Sequence, residues 1–421
     1  MRNMYFIYNI LVLFIGFLLK PIAFFNKKLH FFLNGRKQTF KKLQYIKKTD
    51  KVIWIHVASL GEFEQGRPII EAIKKDADFK NYKIVLTFFS PSGYEVRKNY
   101  NLTDVVVYLP LDTKKNAKKF LDTIHPEIAI FIKYEFWPNL LRELKKRKIP
   151  TIVVSAIFRE NQAFFKSSFI GKFMRNSLHT ISHFFVQNEA SKNLLNSIGF
   201  TNVTICSDTR FDRVYSVVNQ DNDIDKITPF LQDKPNDVLV AGSTWQKDEK
   251  ILVNYINNHA TDDEKFIIAP HTMDKNKLNE LHKNIIKKVQ FYSDDNIHSN
   301  TQVLILDTIG ILSKVYSYAT IAYVGGGFGV GIHNILEPAT FGVPVIIGPN
   351  YQKFQEAKDL IKKQGCFVVH DKEELVSLMK QFKNKTFKIN AGNNSSKYVK
   401  NNLGGTDCVL NYLKKKLLLQ I

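Results

Sequence analysis

A glycine-rich segment in the second half of the chain constrains the fold most strongly. It runs from Tyr323 to Pro338 and carries glycine at positions 325, 326, 327, 329 and 331. The apolar residues 320–324 before it predict a buried strand, residues 334–341 predict the opening of a helix, and residues 343–349 predict the next strand. A strand, glycine-rich turn, helix and strand in this order is typical of a parallel α/β sheet.

The same segment predicts a ligand site. Glycines let backbone N–H groups approach an anion, and the N-terminus of the following helix adds partial positive charge. A tight turn that binds nothing is the alternative, because glycine-rich loops recur in unrelated folds. Glu337, one turn into the predicted helix, favours a ligand with hydroxyl groups, since a carboxylate repels phosphate but accepts hydrogen bonds from a ribose or sugar. The combination indicates a nucleotide-sugar site.

Strands and helices alternate through the rest of the chain. The length of 421 residues is sufficient for two α/β domains. The alternation predicts two doubly wound, Rossmann-like domains with a cleft between them, which is the GT-B architecture. We expect a hydrophobic anchor at 1–26, an N-terminal domain at 27–219 and a C-terminal domain at 220–421, with the polar residues 220–232 as the linker. The remaining predicted strands are 52–57, 83–88, 105–109, 127–132, 151–156, 184–186, 238–241, 266–269, 303–306 and 367–369.

The N-terminal segment from Met4 to Leu19 is apolar and nearly uncharged. Since a spanning helix needs about 20 apolar residues, it predicts a membrane anchor, with a helix lying in the interface as the alternative. A cleaved signal peptide is disfavoured because no Ala-x-Ala site follows. Basic residues come next, and they predict contact with anionic lipid and following domains on the cytoplasmic side of an inner membrane. These residues are Lys27, Lys28, Arg36, Lys37, Lys41, Lys42, Lys47, Lys48 and Lys51.

The formal net charge of +21 indicates an anionic partner. Without zinc-finger spacings or RNP-like aromatic motifs, nucleic acid ranks behind a membrane surface. The apolar residues 164–173 predict either a lipid-facing surface or ordinary core. Cys206, Cys366 and Cys408 are far apart in sequence, so we expect no disulfide framework.

Two glutamates follow predicted strands. Glu62 comes after Ser59-Leu60-Gly61 and before a helix predicted over residues 68–75. A carboxylate on a tight loop facing a cleft is a candidate general base. A solvated loop glutamate is the alternative. Glu135 lies among aromatic residues, whose desolvating effect would raise its pKa.

Arg210 and His271 are further candidates for contacts with a ligand. Arg210 could pair with a carboxylate or phosphate of a ligand, or form a structural salt bridge with Asp208 or Asp212. His271, which follows Pro270, could donate to a phosphate or simply cap a helix.

These segments occur in an order that resembles the 3-deoxy-D-manno-octulosonic acid (Kdo) transferases of Gram-negative lipopolysaccharide synthesis. The resemblance covers nearly the whole chain. Its most specific parts are Glu-x-Trp-Pro-Asn-Leu and His-Asn-x-Leu-Glu. The segments, in order behind the apolar N-terminus, are Ser59-Leu60-Gly61-Glu62, Glu135-Phe136-Trp137-Pro138-Asn139-Leu140, Arg210-Phe211-Asp212 and His333-Asn334-Ile335-Leu336-Glu337-Pro338.

The resemblance implies an inverting glycosyltransferase that moves Kdo from CMP-Kdo to the lipid A precursor, lipid IVA. It implies that Glu62 is the general base and that Glu135 and Arg210 stabilise the transition state. CMP-Kdo is then a substrate, and no cofactor or metal is expected. The segments implied to bind CMP are Pro270-His271, Ile309-Gly310-Ile311 and Asn334-Ile335-Leu336-Glu337.

Two departures from the family pattern concern the CMP site. His271 stands where many members have arginine, and Ile309-Gly310-Ile311 stands where many have Met-Gly-Glu. Three alternative functions remain: another GT-B transferase that uses a UDP-sugar and a lipid acceptor, a non-catalytic membrane-bound nucleotide-binding protein, and a nucleic-acid-binding protein. The last is motivated by charge alone.

Overall fold

Two seven-stranded parallel sheets form the centres of two compact units in the computed structural model, which describes residues 2–233, 235–329 and 331–418. Unit 1 comprises Met1–Asp212 and Gly404–Ile421, and unit 2 comprises Arg213–Leu403. The division between them therefore comes earlier in the chain than residues 219 and 220, where the sequence analysis placed it. The final helix returns to unit 1 instead of closing the C-terminal domain.

The sheet of unit 1 has the strand order β3-β2-β1-β4-β5-β6-β7. All of its neighbouring strands pair in parallel. Its strands are β1 (Lys51–Val57), β2 (Tyr82–Phe88), β3 (Val105–Tyr108), β4 (Ile128–Ile132), β5 (Thr151–Ala156), β6 (His183–Val186) and β7 (Val203–Ile205).

The sheet of unit 2 has the order β10-β11-β9-β8-β12-β13-β14 and is also parallel throughout. Its strands are β8 (Asp237–Thr244), β9 (Glu264–Pro270), β10 (Val289–Phe291), β11 (Val303–Ile305), β12 (Ile321–Val324), β13 (Val345–Ile347) and β14 (Cys366–Val368). The apolar pattern predicted most strands of both sheets, but it did not predict the short strands β7 of unit 1 and β10 of unit 2.

Helices connect the strands and cover the sheets. They are α1 (Arg2–Phe25), α2 (Lys27–Lys37), α3 (Thr39–Lys42), α4 (Leu60–Lys75), α5 (Pro91–Arg97), α6 (Lys114–Ile124), α7 (Pro138–Lys146), α8 (Phe169–Leu178), α9 (Glu189–Ser197), α10 (Arg210–Tyr215), α11 (Ile227–Phe230), α12 (Gln246–Asn258), α13 (Lys275–Asn284), α14 (Leu312–Val315), α15 (Leu336–Thr340), α16 (Gln355–Lys362), α17 (Lys372–Phe382), α18 (Lys385–Lys400) and α19 (Gly405–Leu417). Single 3₁₀ turns lie at Leu43–Tyr45, Ala77–Phe79, Ala163–Phe165 and Tyr316–Tyr318.

Strand β1 shows why its residues form a central strand. Six of its seven residues are buried, so both faces of the sheet are covered, as continuous apolar runs in parallel sheets require. Trp54 packs on one face against Phe120 and Phe131. Ile53 and Ile55 belong to the core on the opposite face. The hydrophobic cores on the two sides of the sheet hold β1 at its centre.

The strand order of each sheet reverses direction at one place. In unit 1 this place lies between β1 and β4, and in unit 2 it lies between β8 and β12. The loops after two such strands diverge to opposite faces of the sheet, so they leave a crevice at the carboxyl ends of the strands, where ligands bind in doubly wound folds. The fold therefore directs the search for a site to these two places.

Helix α4 begins earlier than predicted, and this changes the setting of Glu62. The sequence predicts a tight loop at Glu62 and a helix that begins at Pro68. The structure places Glu62 in the first turn of α4, where its backbone N–H donates to Ser59 Oγ at 3.5 Å. The prediction was wrong because Gly61 and Pro68 resemble loop residues, whereas the N-cap at Ser59 and the buried apolar face start the helix before them.

The C-terminal helix α19 packs into unit 1. Its start is fixed by Asp212, whose carboxylate accepts hydrogen bonds of 2.7 Å from the backbone N–H groups of Gly404 and Thr406. Val409 and Leu413 of this helix have no exposed surface and join the core beneath the sheet. The last helix therefore contributes to the core of the first domain.

The packing of α19 also brings two cysteines together. Cys206, next to the end of β7, is joined to Cys408 of α19 in a disulfide, and Cys366 is free and buried. The expectation of no disulfide was therefore wrong. Spacing gave no signal, because 202 residues separate the two cysteines and only the return of the last helix to unit 1 makes them neighbours.

Truncation of Leu413 tests the assignment of α19 to the core of unit 1. Leu413→Ala should lower the free energy of unfolding by about 2–4 kcal/mol, because it removes a fully buried side chain and leaves a cavity. The exposed Lys415 of the same helix supplies the control, and Lys415→Ala should leave stability within about 0.5 kcal/mol. Urea denaturation of the full chain measures both, and equal effects would contradict the packing described here.

Candidate active site

Glu62 lies at the reversal point of the first sheet, just after β1. Its side chain is 7% exposed, and Oε2 accepts a 2.6 Å hydrogen bond from the backbone N–H of Ala58. Burial raises the pKa of Glu62 to about 7, and the negative charge of Glu135 acts in the same direction. The Ala58 hydrogen bond and the positive charge of Lys133 lower it. A carboxylate with a pKa near neutrality is suited to proton abstraction.

Glu135 follows β4, on the other side of the same reversal point. Lys133, in the left-handed backbone region at φ 65°, turns the chain out of the strand. The Glu135 side chain is 17% exposed, and Oε2 lies 3.9 Å from Nε2 of His56. The structure therefore brings the two predicted glutamates into electrostatic contact at one end of the sheet.

His56, which was not a candidate from the sequence, links the end of β1 to the loop after β4. It is fully buried on β1 and holds Thr87 Oγ1 at 2.8 Å from Nδ1. The indole N–H of Trp137 donates to Nε2 at 3.3 Å. Because Nε2 accepts this bond, Nδ1 carries a proton and donates to Thr87 Oγ1. Its position at the end of a predicted buried strand could have marked His56 as a candidate. Its partners, Thr87 and Trp137, lie far from it in the sequence, so no local motif pointed to them.

Arg210 is held against Asp208 in unit 1. Its Nε and Nη2 donate to Asp208 Oδ2 at 3.1 and 3.0 Å. Asp208 is 3% exposed and also accepts from Gln65 Nε2 at 2.6 Å. Gln65 lies one turn after Glu62 on α4, so this network attaches the Arg210 segment to the helix of the candidate base. The structural salt bridge considered from sequence is therefore present, and it holds the guanidinium in a defined place.

The glycine-rich loop lies at the reversal point of the second sheet, after β12. Val330 of this loop lies outside the described residues. Buried Asp248 holds the loop, since Oδ2 accepts hydrogen bonds of 2.9 Å from the backbone N–H groups of Gly326 and Trp245. Tyr323 Oη donates to Oδ1 of the same carboxylate at 2.8 Å. One carboxylate thus joins the loop after β12 to the start of α12 after β8.

Three aromatic rings stack beside this loop. The ring of His271 lies 4.5 Å from that of Trp245, with an interplanar angle of 25°, and 4.4 Å from that of His333. Burial lowers the pKa of His271, and burial followed by the charge of His271 lowers that of His333 to about 4. Both imidazoles are therefore neutral near pH 7, and they form an uncharged aromatic surface with the indole.

The other predicted nucleotide residues surround the same end of the sheet. Asn334 Nδ2 donates to Glu337 Oε1 at 3.0 Å, and Asn334 Oδ1 accepts from the backbone N–H of Leu336 at 3.2 Å. Ile335 and Leu336 are buried beneath them. After β11, Ile309 is 81% exposed. The Asn334 side chain thus fixes both the start of α15 and the orientation of the Glu337 carboxylate.

The loop between Ile309 and α14 turns at a glycine. Gly310 adopts a positive φ of 99°, a conformation that favours glycine. Ile311 is the N-cap residue of α14. Pro270 lines a neighbouring cavity of about 250 Å³ together with Trp245, Lys247, Asp248 and Lys277. Ile309, Gly310, Ile311, Asn334 and Glu337 are not among the residues that line this cavity.

Within residues 2–233, 235–329 and 331–418, no group of three or more His, Cys, Asp or Glu side chains is arranged to hold a metal ion. The chemistry that the described residues themselves offer is proton transfer at Glu62 and an aromatic, hydrogen-bonding surface near Glu337.

Solved structures share the overall architecture. UDP-GlcNAc 2-epimerase from Neisseria meningitidis aligns with a TM-score of 0.60 and 14% identity, over 87% of this chain and all of that chain. MurG from Acinetobacter baumannii aligns with a TM-score of 0.54 and 12% identity, over 87% and 99%. At such identities the likeness concerns the fold alone.

Sequence relatives are more specific. Residues 34–213 match the family model described as 3-deoxy-D-manno-octulosonic-acid transferase. The Kdo transferase of Aquifex aeolicus is 28% identical over 347 residues, or 81% of this chain and 88% of that protein. A bifunctional glycosyltransferase/methyltransferase of Fusobacterium nucleatum is 28% identical over 379 residues, or 86% of this chain. The aligned region spans only 57% of the length of the Fusobacterium protein.

Two doubly wound domains with candidate side chains at both reversal points define the GT-B fold, and the Kdo transferase relatives make the chain a glycosyltransferase. Within this class, the chain is similar to the Kdo transferases: the family model matches residues 34–213, and curated Kdo transferases of 26–28% identity align over 81–87% of the chain.

Addition of a single methyl group tests the packing of the glycine-rich loop. A Cβ at Gly325 would clash with the backbone oxygen of Ser243, whereas among the described residues one at Gly329 would meet Gly326 O at 3.6 Å and nothing nearer. Gly325→Ala should therefore cost about 1–3 kcal/mol by overpacking, and Gly329→Ala should change the melting temperature little. Thermal unfolding of both variants is the measurement, and an unchanged Gly325→Ala variant would contradict the close approach of the two backbones.

Proposed function

We propose that this chain transfers Kdo from CMP-Kdo to a lipid A precursor, lipid IVA, with inversion at the anomeric carbon. The observation that carries the proposal is the buried Glu62, with its pKa near 7, at the reversal point of a domain that matches the Kdo transferase model. The base and acceptor site belong to unit 1, and the donor site belongs to unit 2.

The reaction proposed is a single displacement. Glu62 takes the proton from an acceptor sugar hydroxyl, and that oxygen forms a bond to the anomeric carbon of Kdo. The bond between this carbon and the phosphate oxygen of CMP breaks, and CMP leaves with the bonding electrons. Glu135 and Arg210 stabilise the transition state, and the Asp208 pair holds Arg210 in position for this role.

The donor site proposed in unit 2 uses different groups for each part of CMP. The uncharged rings of Trp245, His271 and His333 offer a stacking surface for a base. Glu337, oriented by Asn334, accepts hydrogen bonds from ribose hydroxyls. Backbone N–H groups of the glycine-rich loop and the start of α15 supply hydrogen bonds to phosphate. Gly310 with Ile309 and Ile311 contributes backbone contacts.

A lipid acceptor is supported by a groove in unit 1. The groove has a volume of about 1010 Å³ and lies between α1 and α2 and the loop after β3. Apolar residues such as Leu13, Phe17 and Leu33 line it together with Lys20, Lys37 and Lys115, and none of the described residues in its lining is Asp or Glu. Apolar walls with basic residues match the acyl chains and phosphates of a saccharolipid.

Membrane attachment is supported by α1. Residues Asn3–Phe25 form a helix that is long and apolar enough to cross a membrane, and most of its surface is exposed. Within the apolar residues 164–173, Phe169 and Ile170 are also exposed, whereas Phe164 and Phe173 are buried. We propose that these exposed apolar side chains contact the inner membrane, with both units on the cytoplasmic side and the basic residues of α2 on anionic lipid.

The reaction is proposed to be independent of metal and cofactor. CMP-Kdo is already an activated donor, because CMP is a stable leaving group. Arg210 and the backbone N–H groups of the glycine-rich loop are proposed to offset the charge that develops in the reaction, as electrostatic stabilisation of a leaving group requires.

Substitution of Glu62 tests the proposed base. Glu62→Gln should lower kcat for Kdo transfer to lipid IVA by about 10²–10⁴-fold, with little change in the KM for CMP-Kdo.

In wild type, kcat/KM should fall about tenfold per pH unit below pH 7, because the raised pKa of Glu62 leaves the base protonated there. The assay runs in detergent with a chelator present, and mass spectrometry reads the product and the number of sugars added.

Glu64→Gln is the matched control, since Glu64 lies on the same helix but pairs with Arg67 and Arg97. It should retain wild-type transfer. Full activity of Glu62→Gln would exclude Glu62 as the base, and loss of activity with a chelator would exclude metal independence.

Nucleotide preference separates this proposal from a GT-B transferase that uses a UDP-sugar. CMP should raise the melting temperature of the chain, and UDP at the same concentration should not, because only a bound ligand stabilises the folded state. Stabilisation by UDP alone would favour the UDP-sugar function. Stabilisation by CMP without Kdo transfer would favour a non-catalytic nucleotide-binding protein.

A further inference from the structure

The anchor helix α1 is docked on unit 1 along one side. Positions 5, 8, 9, 12, 16 and 19 are only partly exposed and position 23 is buried, while most of the other side chains are exposed. Spacings of three and four residues place these positions on one helix face. A Cβ at Gly16 would lie 3.0 Å from Leu111, so the contact is close. The anchor is therefore part of the unit 1 structure along much of its length.

Two polar side chains of this face reach the loop after β3. Tyr8 Oη donates to Asp112 Oδ2 at 3.0 Å, and Asn9 Oδ1 accepts from the backbone N–H of Lys114 at 2.9 Å. Asp112 is 5% exposed. A buried carboxylate needs hydrogen-bond donors to offset its desolvation, and the apolar anchor helix supplies one of them.

The remaining donors to Asp112 come from the start of α7. The backbone N–H of Asn139 donates to Oδ2 and that of Leu140 to Oδ1, both at 2.9 Å. Trp137, at the N-cap position, makes no side-chain cap. Asp112 therefore caps α7 from a distant loop, satisfying N–H groups that a helix start leaves without intrahelical partners.

The start of α7 in turn fixes the candidate catalytic loop. Glu135 lies in the turn immediately before α7, and Trp137 at its end donates to His56 Nε2 and stacks on Phe89 with ring centres 4.6 Å apart. A shift of the first turn of α7 would move Trp137 and, with it, Glu135. The loop that carries Glu135 is therefore held at two points: Trp137 is bonded to His56, and the start of α7 is capped by Asp112.

We infer that Tyr8 is a positioning residue: through Asp112, the membrane-anchor helix holds the loop that carries Glu135. This inference rests on the proposed function, which gives Glu135 its role in transfer. Docking of α1 then supports the rate of the reaction as well as attachment to lipid. A change confined to one hydroxyl of the anchor should alter kcat without altering membrane binding.

The chain offers a matched pair of variants on one helix face. Tyr8→Phe removes the hydroxyl that binds Asp112 and keeps the ring contact with Phe173. Tyr5 also contacts Phe173, and Arg142 lies over its ring. Among the residues that the structure describes, none forms a hydrogen bond with the Tyr5 hydroxyl. Tyr5→Phe is therefore the control.

The experiment uses the full chain in lipid nanodiscs and has two readouts. For Tyr8→Phe we expect kcat to fall about fivefold to twentyfold, as for loss of one hydrogen bond to a charged group, with unchanged KM for CMP-Kdo. Hydrogen exchange at the amides of Asn139 and Leu140 should accelerate by a similar factor. Tyr5→Phe should match wild type in both readouts, and both variants should remain bound to the lipid.

A second substitution tests whether the effect passes through Asp112. Asp112→Asn should lower kcat further than Tyr8→Phe, and adding Tyr8→Phe to it should cost nothing more, because coupled residues are not additive. Wild-type kcat in Tyr8→Phe, or an equal loss in Tyr5→Phe, would overturn the inference. If wild type transferred no Kdo, the proposed function would fail, and unchanged exchange in Tyr8→Phe would still overturn the link between α1 and α7.

Discussion

Aspartates that accept hydrogen bonds from backbone N–H groups hold the candidate functional loops of both units and the last helix, and two of them, Asp112 and Asp248, are buried. Asp112 caps α7, Asp248 joins the glycine-rich loop to the start of α12, and Asp212 fixes the start of α19. Helix starts and tight loops leave N–H groups without local partners, and their burial is costly unless an acceptor is supplied. One carboxylate that accepts several such bonds can set the geometry of two segments at once.

The two clusters of candidate residues differ in electrostatic character. At the end of β1, burial and the charge of Glu135 make Glu62 a stronger base than a solvated glutamate. Beside the glycine-rich loop, burial removes positive charge from His271 and His333. This second effect bears on position 271, where the resemblance implies an arginine in many Kdo transferases and this chain has a neutral imidazole. The nucleotide site proposed in unit 2 should therefore depend more on stacking and backbone contacts than on a side-chain cation.

The N-terminal helix combines the apolar surface that the sequence predicts with polar contacts to unit 1 that only the structure shows. Its exposed apolar surface suits lipid, while one polar hydroxyl and one amide reach the loop after β3. The basic helix α2 is likewise packed into unit 1, since the Arg36 guanidinium donates to Phe89 O at 2.8 Å and lies over the Phe32 ring. Burial lowers the pKa of Arg36 to about 9. Basic residues in this region thus include structural members as well as surface charges.

The sequence by itself determined the alternation of strands and helices, the positions of Glu62 and Glu135 near strand ends and of Glu337 in the first turn of a helix, and the resemblance to Kdo transferases. These follow from local periodicity and short motifs, which need no knowledge of distant residues. The tertiary structure alone decided the helical start at Leu60, the partners of His56, the return of α19 and the Tyr8–Asp112 bond. The last of these joins residues 104 positions apart. Such contacts depend on how whole elements pack, so no local pattern encodes them.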